Sequence, residues 1–331
     1  MKHLINCPFI PIAKRAASHR GAQGVMYGDQ IRERYGHCDV NYGGELTEVD
    51  RYDVLWVYHG NDWSGGLNMF GGVYGFPYVR NTVNFSKFKG KVYSIGIDFP
   101  PYHQMVREKL KRAEEKAKEI QPEWMEVDLE NLERMHLEAE TIKYPHPTRK
   151  LVVGDSHSIC MYRPGWTVNS VPFKTLNGAL KQGLSSFIDI EVDEVEFYFG
   201  NIDIRHHVVR LGQDPERLAK RYIEEVKKLS LPAKIYELLP IENESRKIPQ
   251  SGYYKGKPFY GTWQERTDAR NRFNDYIDKH YGIVRWTDHL YNKEGELSFD
   301  VMEKPQSIHL SREFYPYWNG MNKATLEDFF G

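Results

Sequence analysis

The chain has 331 residues, 40% of them hydrophobic and 27% charged, with a formal net charge of -1. This describes a soluble globular protein of one large or two ordinary domains, and near-neutrality leaves no global field to recruit nucleic acid or an anionic membrane. Three widely separated cysteines, Cys7, Cys38 and Cys160, exclude a disulfide framework, suggest no zinc site and point to a reducing compartment. In chain order, Leu4 to Ile12 reads as a first strand, Gly24 to Tyr35 as a helix, Tyr52 to Tyr58 as a strong buried strand and Lys91 to Ile97 as another. Two loops of this first segment stand out. Lys14 to Gly24, which contains Arg20, offers cations and flexible backbone before a helix, as a phosphate or carboxylate site does. His59 to Gly72, which contains Asn61, leaves the end of a buried strand and is rich in glycine and polar groups. Neither is a Walker loop or a dinucleotide fingerprint, and either reads equally well as a solvated turn.

From Tyr102 to Ile142 the pattern is helical and highly charged, with opposite charges at helical spacing as on a solvated surface. Pro145-His146-Pro147 breaks it, so the expected organisation is a small α/β (Rossmann-like) domain over 1–145 and a second α/β domain over 146–331. The second opens on Leu151-Val152-Val153 followed by Gly154-Asp155-Ser156-His157-Ser158, which places a serine at the mouth of a buried strand, where open α/β sheets hold their ligands. A helix around Leu176 to Leu184, a strand over Asp193 to Phe199 ending in Gly200-Asn201, a helix over Pro215 to Leu229 with Leu218, Tyr222 and Val226 on one face, a strand over Ala233 to Pro240 and a helix over Gln264 to Tyr281 complete the alternation. In Asp203-Ile204-Arg205-His206-His207, Arg205 and its neighbours either bind a substrate carboxylate or phosphate or close an internal salt bridge. Aromatic content of 14% suggests that some rings line a cleft. Met1 to Pro8 is too short in apolar length for a signal peptide and no run of about 18 apolar residues occurs, so a cytoplasmic protein without a membrane partner is expected.

The Gly154-Asp155-Ser156 block after a strand, Phe199-Gly200-Asn201 farther on, and Ser307-Ile308-His309 near the end resemble, in that order, the sequence blocks of the SGNH (GDSL-type) hydrolase superfamily. The resemblance covers roughly the C-terminal half. It implies a three-layer α/β/α fold with a mainly parallel sheet. It also implies Ser156 as nucleophile, His309 as general base, and the Ser156 N–H with Asn201 as oxyanion donors, with no cofactor or metal. Asp155, His157, Gly200, Asp203, Arg205, Arg20 and Asn61 are the candidate substrate contacts. The family's acid position, three residues before the histidine, holds Gln306, with Asp300 and Glu303 as nearby substitutes or a Ser-His dyad as the alternative. The implied reaction is hydrolysis or transfer of an acyl group, on a small acyl or phosphorylated substrate. A chain of this style also resembles tailed-phage proteins that attach amino acids to thymine derivatives, which implies as an alternative a transferase on a nucleotide or DNA base without an acyl-enzyme. A non-catalytic binding module on the same fold is the third reading.

Overall fold

The computed structural model describes residues 1–7, 18–42, 48–58, 87–95, 115, 128–243, 255–256, 260–303 and 308–317. The chain forms two compact units, one made mainly by residues 1–146 and one mainly by residues 147–331. The first contains β1 (His3–Cys7), α1 (Ser18–Tyr35), β2 (Asp39–Tyr42), β3 (Val54–Tyr58), β4 (Lys91–Ile95), α2 (Leu129–Glu138) and β5 (Glu140–Ile142). Its sheet is parallel throughout, in the order β2-β1-β3-β4-β5. β1 and β3 are buried at every position, β3 as the continuous apolar run expected at the centre of a parallel sheet and β1 with two polar residues, His3 and Asn6, that hydrogen-bond to Trp56 and Asn41.

Helix α1 begins six residues before its expected start, so Arg20 lies within the helix and not in a loop ahead of it. Asn61 and most of the charged stretch from Tyr102 fall outside the described residues. The end of that stretch, Glu140–Ile142, is a strand pairing with β4 and not the helix its composition suggests. Some of the aromatic residues pack the core: Trp56 stacks on Tyr93 at 4.3 Å and donates to His3 Nδ1, and both it and His3 are buried.

The second unit contains β6 (Lys150–Gly154), β7 (Thr167–Ser170), α3 (Leu176–Gln182), β8 (Glu194–Tyr198), α4 (Pro215–Lys227), β9 (Ala233–Ile235) and α5 (Trp263–His280). Its sheet is again all-parallel, in the order β7-β6-β8-β9. The chain steps from β6 to one side and then returns to the other, which makes the carboxyl ends of β6 and β8 a topological switch point. Asp214 caps α4 with Pro215 in its first turn, and Leu218, Tyr222 and Val226 are buried on one face as the pattern predicts. A capping box of Thr262 and Glu265 starts α5, which packs on α4 through Tyr222 and Phe273.

The strand expected over Ala233 to Pro240 stops at Ile235 for a definable reason. Tyr236 and Glu237 still bond to backbone, at Phe197 and Val284, and from Leu238 on the partners are buried side chains: the carbonyls of Leu238 and Leu239 accept from Arg270, the N–H of Leu239 donates to Asn201 and that of Leu238 to Asn274. A ladder is unnecessary where side chains satisfy the main chain.

Candidate active site

β6 ends at Gly154 because only glycine fits there. A Cβ on it would stand 2.3 Å from the Tyr198 carbonyl oxygen of β8 and 2.6 Å from Ser158 Cβ. The chain then turns into a short 3-10 helix, Ser156–Met161, capped by Asp155, whose Oδ1 accepts the His157 N–H at 2.9 Å. Asp155 is wholly buried, and its carbonyl accepts from the N–H and the hydroxyl of Ser158 and from the hydroxyl of Ser170. Ser156 is the first residue of this helix, so its own N–H has no acceptor within the helix and its side chain stands half-buried at the switch point.

The histidine arrives from the far end of the unit. Met302 and Leu310 form an antiparallel bridge, with Glu303 N donating to His309 O at 2.9 Å and Ser311 N to Val301 O at 2.8 Å. This narrow ladder sets Glu303 and His309 side by side although six positions separate them. His309 Nε2 lies 2.8 Å from Ser156 Oγ, and its Nδ1 lies 3.5 Å from Oε1 of Glu303, a nearly buried carboxylate. Serine, imidazole and carboxylate therefore stand in series. Asp300, the other substitute, is exposed, and Gln306 falls outside the described residues.

Ser156, His157, Ile159, Cys160, Leu239, His309, Leu310 and Tyr315 line a small recess of about 190 Å³, its open mouth included. His157 Nδ1 meets Asp155 Oδ1 at 2.9 Å, and the His157 and His309 rings lie 4.8 Å apart. Burial holds the His157 imidazole below its usual pKa and pushes the Cys160 thiol and the Tyr315 phenol well up, so all three are neutral near pH 7.

Several residues read as substrate contacts serve the fold instead. The segment Asp203–Val208 is a π-helical turn that tucks its polar residues inward, not an exposed continuation of the β8 edge. Arg205 is completely buried: Nε meets Glu242 at 2.9 Å, Nη2 donates to the Pro240 carbonyl at 2.6 Å and Nη1 to Asn201 Oδ1 at 3.2 Å. The internal salt bridge is thus the correct reading for Arg205, with Glu242 and not Asp203 as its partner. Asp203 accepts from the N–H groups of Leu176 and Asn177 and from the Asn177 side chain, which fixes the first turn of α3. Burial pushes its carboxyl up to about 6 against the pull of those donors. Gly200 turns the chain at φ 118, where a Cβ would meet Leu238. Asn201 is fully buried and off the recess lining, its Oδ1 committed to Leu239 N and Arg205.

Asp203→Ala is expected to cost about 2–3 kcal/mol, because it strands buried N–H groups of α3, whereas Asp203→Asn, which keeps an acceptor, should lose about half of that. Urea denaturation of the two variants decides this; equal losses would mean that the hydrogen bonds of Asp203 are not what holds α3. Among the described residues no group of three histidine, cysteine, aspartate or glutamate side chains is placed to hold a metal, and no helix is long and apolar enough to cross a membrane.

What sequence reasoning missed is the apolar lining, Ile159, Leu239, Leu310 and Tyr315. No local signal marks these four, since they come from separate places along the chain, Ile159 from the 3-10 helix after β6 and the others from segments far beyond it. No family model and no curated protein matches the chain. Among solved structures it is similar to a GDSL-like lipase from Bacteroides thetaiotaomicron, at 14% identity over 55% of this chain and 89% of that one, with a TM-score of 0.38. It is similar also to an acetyl xylan esterase, at 14% identity over 52% of this chain and 97% of that one, with a TM-score of 0.35. A third is the OSK domain of Drosophila Oskar, at 16% identity over 50% of this chain and 77% of that one, with a TM-score of 0.33. The chemistry of the recess therefore rests on its own atoms.

Proposed function

We propose that the C-terminal unit is an SGNH-like serine hydrolase or acyltransferase that passes an acyl group through Ser156. The observation that carries this reading is the series Ser156 Oγ, His309, Glu303, with contacts of 2.8 Å and 3.5 Å, at a sheet's switch point. In the first half-reaction Oγ attacks the acyl carbonyl while its proton passes to His309 Nε2. Glu303, beside Nδ1, holds the ring in orientation and stabilises the imidazolium. The Ser156 N–H, free of intrahelical bonding, faces the developing oxyanion, and collapse of the tetrahedral adduct sends the proton on to the leaving oxygen. Asn201, whose Oδ1 anchors Leu239 and Arg205, keeps Nδ2 without a hydrogen-bond partner among the described residues, and that N–H is the second oxyanion donor of this scheme.

The transferase reading on a nucleotide or DNA base finds less support: Glu303 stands beside His309 as a carboxylate, and the guanidinium of Arg205, one candidate for binding a phosphate, is committed to Glu242. The experiment is to treat the purified protein with a fluorophosphonate and to map the adduct by mass spectrometry. A single adduct on Ser156 is expected. A folded protein that takes up no label would sink the acyl-enzyme scheme.

A further inference from the structure

The scheme above leaves the His157 imidazole of the recess unused. His309 is engaged at both nitrogens, by Ser156 and by Glu303. His157 is engaged at one only: Nδ1 faces the Asp155 carboxylate at 2.9 Å, while Nε2 is buried and has no hydrogen-bond partner among the described residues. A ring nitrogen that faces a carboxylate carries the proton, which makes Nε2 the acceptor. The residue is 4% exposed yet lines the same recess as Ser156. An orphaned acceptor in such a place costs free energy unless something donates to it. Burial keeps the ring neutral, so its lone pair is available at neutral pH.

We propose that His157 Nε2 binds the O–H of the molecule that relieves Ser156 of its acyl group. This rests on the acyl-enzyme reading above and extends it to the second substrate, a compound that brings two O–H groups, with water and a vicinal polyol as its two sources. One O–H donates to His157 Nε2, and the oxygen so placed (in water the same oxygen, in a polyol the neighbouring hydroxyl) bonds to the acyl carbon. The proton of the other O–H passes to His309 Nε2 and from there to Ser156 Oγ as the acyl–Oγ bond breaks. Atoms and charge balance without a further reactant. Asp155 has two parts here: it caps the helix that presents Ser156, and it fixes the ring of His157.

The experiment is the stopped-flow reaction of the full chain with p-nitrophenyl acetate, with and without glycerol, in wild type, His157→Phe and His157→Gln. The burst reports acylation and the steady rate deacylation. In His157→Phe, acetylated Ser156 is expected to accumulate by intact mass while the steady rate falls about tenfold or more, in water and in glycerol alike. Glutamine can place an oxygen near the position of Nε2, so His157→Gln should recover part of the loss. A loss confined to the glycerol ester product would identify an alcohol as the natural acceptor, and a loss confined to hydrolysis would identify water. Should the phenylalanine variant not fold, His157→Leu removes the acceptor with a smaller side chain, and the same accumulation is expected. Burst and steady rates that fall in proportion, or a glutamine variant no better than phenylalanine, would overturn the role of His157 alone. A wild-type protein that forms neither acetyl nor fluorophosphonate adduct would overturn it through Ser156, together with the reading on which it rests.

Discussion

Ser156→Ala and His309→Ala should each lower the turnover of an activated ester by about five to six orders of magnitude, and the double variant should be no worse than either single one. A nucleophile and its base act as one device, so removing either forfeits nearly all that the pair supplies and their losses do not add. Glu303→Gln is the more telling replacement. It preserves shape but removes the negative charge beside Nδ1, and a loss of about 10²–10⁴ is expected, equivalent to roughly 3–5 kcal/mol of transition-state stabilisation. Asp300→Ala, at an exposed carboxylate away from the ring, should change turnover by less than twofold. Steady-state kinetics on the five variants settle which carboxylate serves His309. If Glu303→Gln stays within a few-fold of wild type while His309→Ala is inactive, the site operates as a dyad.

The position of Ser156 was legible because it depends on local facts: a buried apolar strand, a glycine where β6 and β8 approach within contact, and an aspartate that caps the following turn. His309 was legible only through the order of the blocks. Glu303 could be named as a substitute but not chosen over Asp300, since the choice depends on an antiparallel bridge between Met302 and Leu310 that no short-range pattern encodes. Asp203 and Arg205 misled for a physical reason. Charged residues just past a strand end read as solvent-facing, yet here a π-helical turn carries them inward, to an α3 N-terminus and to a carboxylate 37 positions away in sequence. Ala233 to Pro240 misled likewise, because only its first three residues form a strand, of which Ile235 alone is buried, and from Leu238 the segment is pinned by Asn201, Asn274 and Arg270.

Arg205→Met should destabilise the C-terminal unit by about 3–5 kcal/mol, a large part of the roughly 5–15 kcal/mol that a typical domain has in hand. Both Arg205 and Glu242 have side chains at 0% exposure, so removing the guanidinium leaves a carboxylate in the interior without its counter-charge. It also strips a donor from the Pro240 carbonyl and another from Asn201 Oδ1. Arg205→Lys should rescue little, since one ammonium cannot span three acceptors that the planar fork reaches from Nε, Nη1 and Nη2. Adding Glu242→Leu to Arg205→Met should recover a substantial share, because an apolar pair of similar volume replaces a desolvated charge. The consequence for the site is indirect. Arg205 holds Asn201, Asn201 holds the N–H of Leu239, and Leu239 is a wall of the recess beside Ser156. Fluorophosphonate labelling, expressed per folded molecule, should therefore change far less than the urea midpoint does. If Arg205→Met leaves the midpoint unmoved and yet abolishes labelling, Arg205 belongs to the chemistry and not to the scaffold.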